Sequence, residues 1–180
     1  MTTPPKPNPA LWQNRQSSSR LSPRDRYRST NGHGGTWFDA WEAPDFIKCP
    51  VVEETRAILG SLEGDDLAEA KSQLKHYVAD ARAGTLTFED PAAAGELPRF
   101  PDMLEIRVQV NPDHEDVGKR HLLRLYYAEP PDFDHVLLAL MFARKPRGGD
   151  PDNVQTGQIR AAQGRYERGR RGGATWGLDL

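Results

Sequence analysis

The spacing of apolar residues changes along the chain and divides it into helical and extended regions. Between residues 50 and 84, apolar side chains recur every three or four positions, in one stripe over 51–62 and a second over 67–81. This spacing predicts two amphipathic helices. Because only a short turn separates them, we expect the helices to lie antiparallel as a hairpin.

Turn-forming residues set the boundaries of these two helices. Pro50 suits the first turn of a helix, because it has no N–H to leave unpaired there. The sequence "EGDD" at 63–66 interrupts the apolar stripe and offers Asp65 or Asp66 as the N-cap of the second helix. Residues 84–98, "GTLTFEDPAAAGELP", are rich in turn formers and predict a connecting loop.

Beyond residue 100, apolar and polar residues alternate, which is typical of strands with one covered face. Two such runs are "MLEIRVQV" at 103–110 and "HLLRLYYAE" at 121–129. A third run, "HVLLALMFA" at 135–143, is apolar on both faces. It predicts a strand that has neighbours on either side.

Two further elements flank this region. The segment "GTWFDAW" at 35–41 predicts a short first strand, with its three aromatic residues in the core. A last helix is predicted from 154 to 169, with Ile159, Ala162 and Tyr166 packing inward. The element order therefore predicts an α+β fold, in which an N-terminal helical hairpin and a C-terminal helix pack on a small antiparallel sheet.

The length of 180 residues accommodates one domain with some chain left over. Residues 1–33 combine prolines, serines and scattered basic side chains with few apolar ones, which predicts a disordered basic tail. We assign residues 34–171 to the folded domain and 172–180 to a C-terminal tail. Within that tail, Trp176 is expected to pack on the core.

Cysteine content and hydropathy restrict the cellular setting. Cys49 is the only cysteine, so by itself it forms neither an internal disulfide nor a metal cage. No apolar run approaches the ~20 residues needed to cross a bilayer, and the Pro-rich start lacks the apolar core of a signal peptide. We therefore expect a cytoplasmic protein with no membrane partner.

Charge is unevenly distributed, although the formal net charge is only -2. Residues 1–30 carry six basic side chains against one acid, whereas residues 39–96 carry thirteen acids against five bases. Residues 144–171 return to eight bases against three acids. One end of the folded domain is therefore expected to attract a polyanion. A solvated helix surface is the alternative explanation of the same charges.

Four segments share their order and spacing with a known family. The strand "MLEIRVQV" is similar to a Leu/Trp-Glu-Leu-Arg strand, "LLRLYYAE" to an Arg-x-x-Tyr strand, and "LLALMFARKP" to a Leu-Leu-x-x-Phe-x-Lys-Lys segment. The segment "GQIRAAQGRYE" is similar to the helix that follows them. Over residues 36–169, the chain thus resembles the RelE/HigB superfamily of type II toxin ribonucleases, particularly its phage-derived HigB-like branch.

This resemblance implies a RelE-like fold, an activity and partners. Members of the family cut messenger RNA on the ribosome without a metal ion, using the ribose 2′-hydroxyl as nucleophile, and no cofactor is expected. Such chemistry requires a base for that proton, cations for the charge that develops on the phosphate, and an acid for the leaving oxygen. A small cognate antitoxin, often a helix-turn-helix protein encoded next door, is also implied.

The strand alternation places candidate residues for these roles on one face. Glu105 and Arg107 point away from the apolar stripe of their strand, and Arg124 can share that face. We expect Glu105 to be the base or to orient it, and the guanidinium groups of Arg107 and Arg124 to clamp the phosphate. Lys145 would add positive charge. The remaining RNA-binding candidates are Tyr126, which would stack a base or orient a group, and Arg144, Arg147, Arg165 and Arg168.

The resemblance is incomplete, and other interpretations stay open. The family's paired lysines appear here as Arg144 and Lys145, and no C-terminal His-Tyr pair is present, so no residue is assigned as the acid. Glu105 and Arg124 can instead form a cross-strand ion pair on a solvated sheet face. Two further alternatives are a non-catalytic relative that inhibits a partner such as gyrase, and a phage accessory protein that binds nucleic acid without cutting it.

Overall fold

The computed structural model describes residues 35–42, 45–86, 94–97, 103–111, 114–116, 119–130, 133, 135–145, 151–171 and 175–178. The basic tail predicted at 1–33 lies outside the described residues. The helices are α1 (Pro50–Leu59), α2 (Gly64–Ala83) and α3 (Pro151–Arg170). The strands are β1 (Thr36–Asp39), β2 (Ala94–Glu96), β3 (Met103–Val110), β4 (His121–Ala128) and β5 (Val136–Arg144).

The strands form one mixed sheet in the order β1-β5-β4-β3-β2. β3, β4 and β5 are antiparallel neighbours, but β1 pairs with β5 in parallel, so the expectation of an all-antiparallel sheet is wrong. The apolar pattern shows which residues are extended and not which way two strands run, because both arrangements bury the same side chains. The prediction that the third apolar run has neighbours on either side is confirmed.

Both faces of the sheet are covered, which makes an α+β fold of three layers. On one face, α1 packs mainly against β5 and α2 against β3, and on the other face α3 packs against β5 and β4. A core therefore lies on each side of the sheet. The first core includes Leu104, Ile106, Val108, Leu123, Leu125 and Tyr127, and the second includes Tyr126, Leu138, Leu140, Ala162, Tyr166 and Trp176.

The helix boundaries agree with the predicted stripes except at one cap. α1 begins at Pro50, as expected. α2 begins at Gly64 with Glu63 as its N-cap, so the prediction of Asp65 or Asp66 as the cap is wrong. The two aspartates lie in the first turn, where their negative charges interact favourably with the positive end of the helix dipole. α2 ends at Gly84, whose φ of 72° is left-handed, a conformation that glycine adopts without strain.

Two short segments also differ from the prediction. The region 84–98, expected to be a loop, contains the edge strand β2, which pairs antiparallel with β3. Its sequence, "AGE", lacks the β-branched residues that usually mark a strand. Trp41 lies beyond the end of β1 and is 38% exposed, so its assignment to the core is wrong, whereas Trp37 and Phe38 pack against the two cores.

The segment after α3 belongs to the folded unit. Trp176 is fully buried, stacks on Tyr166 with ring centroids 5.4 Å apart, and donates from its indole nitrogen to the Tyr166 carbonyl at 2.8 Å. The expected packing of Trp176 is therefore confirmed. Residues 175–178, part of the predicted C-terminal tail 172–180, thus contribute a side chain to the core beneath α3.

β1 pairs only with the first four residues of β5, which leaves the rest of that edge without a strand among the described residues. Side chains satisfy its main-chain groups instead. Arg165 donates to the Leu140 carbonyl at 2.8 Å, and the Phe142 N–H donates to a carboxylate oxygen of Glu54 at 3.0 Å. A helix on each side of the sheet thus contributes a side chain to the same edge.

These contacts form a unit that we name the edge clasp, consisting of Glu54, Gln158 and Arg165. Gln158 donates to the Arg144 carbonyl at 2.8 Å, and Arg165 Nη2 lies 2.5 Å from Glu54 Oε1. The clasp links α1 to α3 around the edge of β5. It also occupies main-chain groups that would otherwise be free to pair with another strand.

No helix among the described residues is both long enough and apolar enough to span a bilayer.

Candidate functional site

A buried carboxylate and two guanidinium groups meet on the α3 side of the sheet. Arg107 Nε donates to Glu105 Oε1 at 2.7 Å, and Arg107 Nη2 lies 2.7 Å from the same oxygen. Arg124 Nε lies 3.8 Å from Glu105 Oε2. The pleat explains this convergence, because Glu105 and Arg107 are two apart on β3 and Arg107 is directly opposite Arg124 on β4. We name these three residues the Glu105 cluster.

Burial differs sharply within the Glu105 cluster. Glu105 is only 1% exposed and Arg124 6%, whereas a quarter of the Arg107 side chain is accessible. The sheet face that carries them is therefore not solvated, and the alternative of an ion pair on a wet face is wrong in that respect. Arg107 is the member through which a ligand in solution would first reach the cluster.

The cluster carries one more positive charge than negative. Two guanidinium groups lie directly opposite each other across the strands, and a single carboxylate lies between them. Arg124 Nη1 donates to the Leu123 carbonyl at 2.9 Å, but no acceptor among the described residues is within hydrogen-bonding distance of its buried Nε. Burial lowers the pKa of the Arg124 guanidinium, an effect that the Glu105 carboxylate opposes. A buried excess of positive charge favours the binding of an anion.

Side chains from the first half of α3 cover the cluster. Gln155 Nε2 lies 3.3 Å from Glu105 Oε2, so the less engaged carboxylate oxygen faces α3. The Tyr126 hydroxyl lies 3.3 Å from Gln158 Oε1. Burial and the nearby Glu105 carboxylate raise the pKa of Tyr126, which therefore stays protonated. Glutamine side chains donate and accept hydrogen bonds without adding charge, so they can be displaced by a polar ligand.

Arg144 and Lys145 were both expected to add positive charge near the phosphate, but their side chains are directed to opposite faces of the sheet. Arg144 lies on the α1 and α2 side of the sheet, where its guanidinium donates to Ser61 Oγ and lies 3.3 Å from His121 Nδ1. It is thus separated by the sheet from the Glu105 cluster. Lys145 follows β5, and its N–H donates to the Leu122 carbonyl at 2.7 Å. Strand alternation directs the Lys145 side chain away from Arg144, towards the face of Arg124.

Two other RNA-binding predictions conflict with the structure. Tyr126 is fully buried under α3, so its ring is not available to stack on a base. Arg165 donates to Glu54 and to the Leu140 carbonyl as part of the edge clasp, so its guanidinium serves the fold. Arg168 is exposed on α3, compatible with its predicted role, and Arg147 lies outside the described residues.

Several polar residues that contact the Glu105 cluster, the edge clasp or Arg144 could not be found from the sequence. Gln155, Gln158 and Glu54 are polar residues on amphipathic helices, and the helical pattern gives no reason to single them out. The same applies to His121, whose Nε2 lies 3.3 Å from Asp66 Oδ2 beside Arg144. Among the described residues, no group of three or more His, Cys, Asp or Glu side chains is arranged to hold a metal ion.

No family model, curated protein or solved structure matches the chain.

Proposed function

We propose that this protein is the toxin of a type II toxin-antitoxin system, a RelE-like endoribonuclease that cuts messenger RNA on the ribosome through the ribose 2′-hydroxyl. The observation that carries the proposal is the buried, net-positive Glu105 cluster. Two guanidinium groups that flank one carboxylate suit a phosphodiester, because each presents several N–H donors that match its oxygens. In a cell, such a toxin would be held inactive by an antitoxin encoded beside it.

The two oxygens of Glu105 support different roles in this chemistry. Oε1 faces both Arg107 nitrogens and would fix that guanidinium against the phosphate. Oε2 is 3.3 Å from Gln155 and 3.8 Å from Arg124, so it retains capacity to accept the 2′-hydroxyl proton once Gln155 is displaced. The 2′-oxygen would then attack phosphorus and the bond to the 5′-oxygen would break, which leaves a 2′,3′-cyclic phosphate and a 5′-hydroxyl whose proton comes from water. Arg107 and Arg124 would stabilise the negative charge on the phosphate oxygens.

The burial of Glu105 favours a second candidate function, the binding of RNA without cleavage. A carboxylate that is 1% exposed and held by Arg107 can act purely as the support of a guanidinium clamp. In that case, affinity for RNA would decrease smoothly with salt while the RNA stays intact. The two functions differ in whether new RNA ends appear.

Induced expression, followed by mapping of RNA 5′ ends, distinguishes the two candidates. The wild-type protein is compared with Arg124→Ala, with Glu105→Gln and with Lys71→Ala, an exposed cation of α2 that serves as control. We expect new in-frame cuts in translated messages for the wild type and the control. A positioned proton-transfer group contributes about 10²–10⁴-fold to rate, so Glu105→Gln should abolish detectable cutting.

Circular dichroism and the unfolding temperature of each purified variant show whether it is folded. If wild-type protein generates no new 5′ ends, the nuclease proposal is wrong. If Glu105→Gln and Arg124→Ala are folded and cut as the wild type does, the assignment of the site is wrong.

A further inference from the structure

The outward face of α3 has an unusual composition. Residues at helical spacing on the side opposite the buried Ala162 and Tyr166 are all arginine, glycine or asparagine, and nearly all are exposed. They extend roughly 27 Å along the helix, at 1.5 Å per residue. We name them the Arg-Gly face, which consists of Asn153, Gly157, Arg160, Gly164, Arg168 and Arg171.

Neither glycine makes room for another element among the described residues, because open space surrounds Gly157 and only the Arg168 side chain lies beside Gly164. Nothing lies within 4 Å of a β-carbon built on Gly157, which is exposed in the middle of α3. At Gly164, the nearest atom is the end of the flexible Arg168 side chain, 2.9 Å away, so that guanidinium lies flat along the helix. Glycine disfavours a helix interior relative to alanine. Its presence is explained if another backbone approaches the helix closely here.

The charges on this face are not neutralised. Within the described part of the chain, no carboxylate forms an ion pair with Arg160, Arg168 or Arg171. Glu167 lies at the margin of the face, where it accepts a hydrogen bond from Gln163 at 2.6 Å. Beside the last arginines, a shallow hollow of about 470 Å³ is lined by Tyr166, Glu167, Arg170 and Arg171. The side chains of the Arg-Gly face are thus three arginines and one neutral asparagine, and its two glycines have no side chain.

We propose that the Arg-Gly face is a docking surface for the sugar-phosphate backbone of structured RNA, separate from the Glu105 cluster. The arginines would contact phosphates, and the glycines would let the RNA backbone lie against the helix surface. Such contacts carry no sequence preference, and they would set the position of the RNA. An acidic protein surface is a less suitable partner, because the face offers no apolar anchor of the kind that protein interfaces require. The choice of RNA as the polyanion rests on the proposed function.

Salt-dependent binding tests this inference. The probe is a fluorescein-labelled RNA hairpin with 2′-O-methyl riboses, which cannot be cut through the 2′-oxygen. The test variant is Arg160→Ala/Arg168→Ala/Arg171→Ala. The matched control is Lys71→Ala/Lys75→Ala/Arg82→Ala, which removes three exposed cations from α2 over the same length of helix.

We expect the test variant to bind the hairpin at least about 10-fold more weakly at moderate salt, and the slope of log affinity against log salt to fall by about 2. The control variant should keep the wild-type affinity and slope. Equal losses in both variants would show a nonspecific effect of charge and overturn the inference. The inference would also be overturned if the test variant lost binding to poly-glutamate but bound the RNA hairpin as the wild type does.

Gly157→Ala separates a role in binding from a role in folding. Because space is open around Gly157, alanine should raise the unfolding temperature by about 2–4 °C. If RNA backbone approaches here, the same variant should bind the hairpin several-fold more weakly. An increase in unfolding temperature with unchanged RNA affinity would contradict the close approach.

Failure of this inference and failure of the proposed function give different results. If no RNA is cut in cells but the triple arginine variant loses affinity for the hairpin, the Arg-Gly face binds RNA and the nuclease proposal is wrong. If RNA is cut in cells and the triple variant binds the hairpin as the wild type does, the docking face is wrong.

Discussion

The Glu105 carboxylate reduces the electrostatic repulsion between the guanidinium groups of Arg107 and Arg124. It lies between Arg107 and Arg124, which are directly opposite across β3 and β4 in a region shielded from water. A lone buried charge is strongly unfavourable, so the carboxylate stabilises the fold even though the cluster keeps a net positive charge. The residue best placed for chemistry is therefore also needed for stability.

Substitutions in the cluster should have opposite effects on stability. Glu105→Gln removes the carboxylate that lies between two guanidinium groups and should lower the free energy of unfolding by about 3 kcal/mol. Arg124→Met removes a buried cation whose Nε has no hydrogen-bond acceptor within the described ranges, and should leave stability unchanged or raise it. Urea denaturation measures both. Equal destabilisation by the two variants would mean that the cluster is a simple, balanced ion pair.

Asp39 makes stability depend on pH. Its carboxyl lines a mainly apolar cavity of about 340 Å³ between the sheet and helices α1 and α2, and burial raises its pKa above the usual 3.8. The folded state thus holds the proton more tightly than the unfolded state, and stability falls as pH rises from 3.8 through the raised pKa. Asp39→Asn, which keeps the shape, should be more stable than wild type at pH values above that range.

The advantage of Asp39→Asn should shrink as pH falls and disappear below the unfolded-state pKa of Asp39. Thermal unfolding of both proteins across this range measures the difference. An advantage that is independent of pH would show that the carboxylate charge is not its cause.

At the residue scale, the sequence predicts part of the site. Strand alternation is a strict period of two, so Glu105, Arg107 and Arg124 could be assigned to one face before the structure was known. The same rule separates Arg144 from Lys145, which lie one position apart and so on opposite faces. Strand alternation does not predict which helix side chains lie over that face. Gln155 and the burial of Tyr126 depend on where α3 packs, a tertiary property.

At the scale of elements, the edge clasp explains how β5 ends without a complete neighbour. β1 is only four residues long, and the rest of the edge is satisfied by side chains from α1 and α3. Edge strands with free main-chain groups pair readily with other chains, so such covering opposes that pairing. Arg165 therefore stabilises the fold, which a count of basic residues in the sequence could not distinguish from RNA binding.

The clasp predicts an energetic coupling between helices on opposite faces of the sheet. In a double-mutant cycle with Glu54→Gln and Arg165→Met, we expect a coupling energy of about 1–3 kcal/mol, because the two side chains contact each other and adjacent groups of β5. Chemical denaturation of the four proteins gives this value. Additive effects would show that the contacts do not act as a unit.

Packing of the last segment on α3 requires glycine at one position. A β-carbon on Gly169 would lie 2.1 Å from the indole of Trp176, which is fully buried. Gly169→Ala should therefore lower the free energy of unfolding by about 1–3 kcal/mol. Thermal unfolding, with Gly157→Ala as the control that should stabilise the same helix, measures this effect. Similar changes in both variants would contradict the packing account.

Element identity was largely predictable, and element pairing was not. Helical and strand periods locate α1, α2, α3, β3 and β4, because these elements each bury a regular stripe, and a continuous apolar run locates β5. β2 was missed because three residues are too short to show a period. The parallel pairing of β1 could not be predicted, since it depends on contacts between segments about 100 residues apart in sequence.

On the scale of the whole molecule, positive charge is concentrated on the α3 side. The Glu105 cluster lies beneath the first half of α3, and the arginines of the Arg-Gly face lie on its outer side. The formal net charge of -2 conceals this separation, because the acidic residues cluster in the chain region of α1 and α2. A polyanion would therefore be attracted to one side of the protein although the total charge is negative.

NMR of the arginine side chains tests directly whether the Glu105 cluster binds an RNA phosphate. The Nε–Hε signals of a ¹⁵N-labelled protein are followed during titration with a 2′-O-methyl RNA oligonucleotide and assigned with Arg107→Lys and Arg124→Lys. We expect the Arg107 and Arg124 signals to shift together and to saturate at the same RNA concentration, because both guanidinium groups would bind one phosphate. If RNA shifts only exposed arginines such as Arg160 and Arg168, and the signals of the cluster stay unchanged at saturation, the account is contradicted.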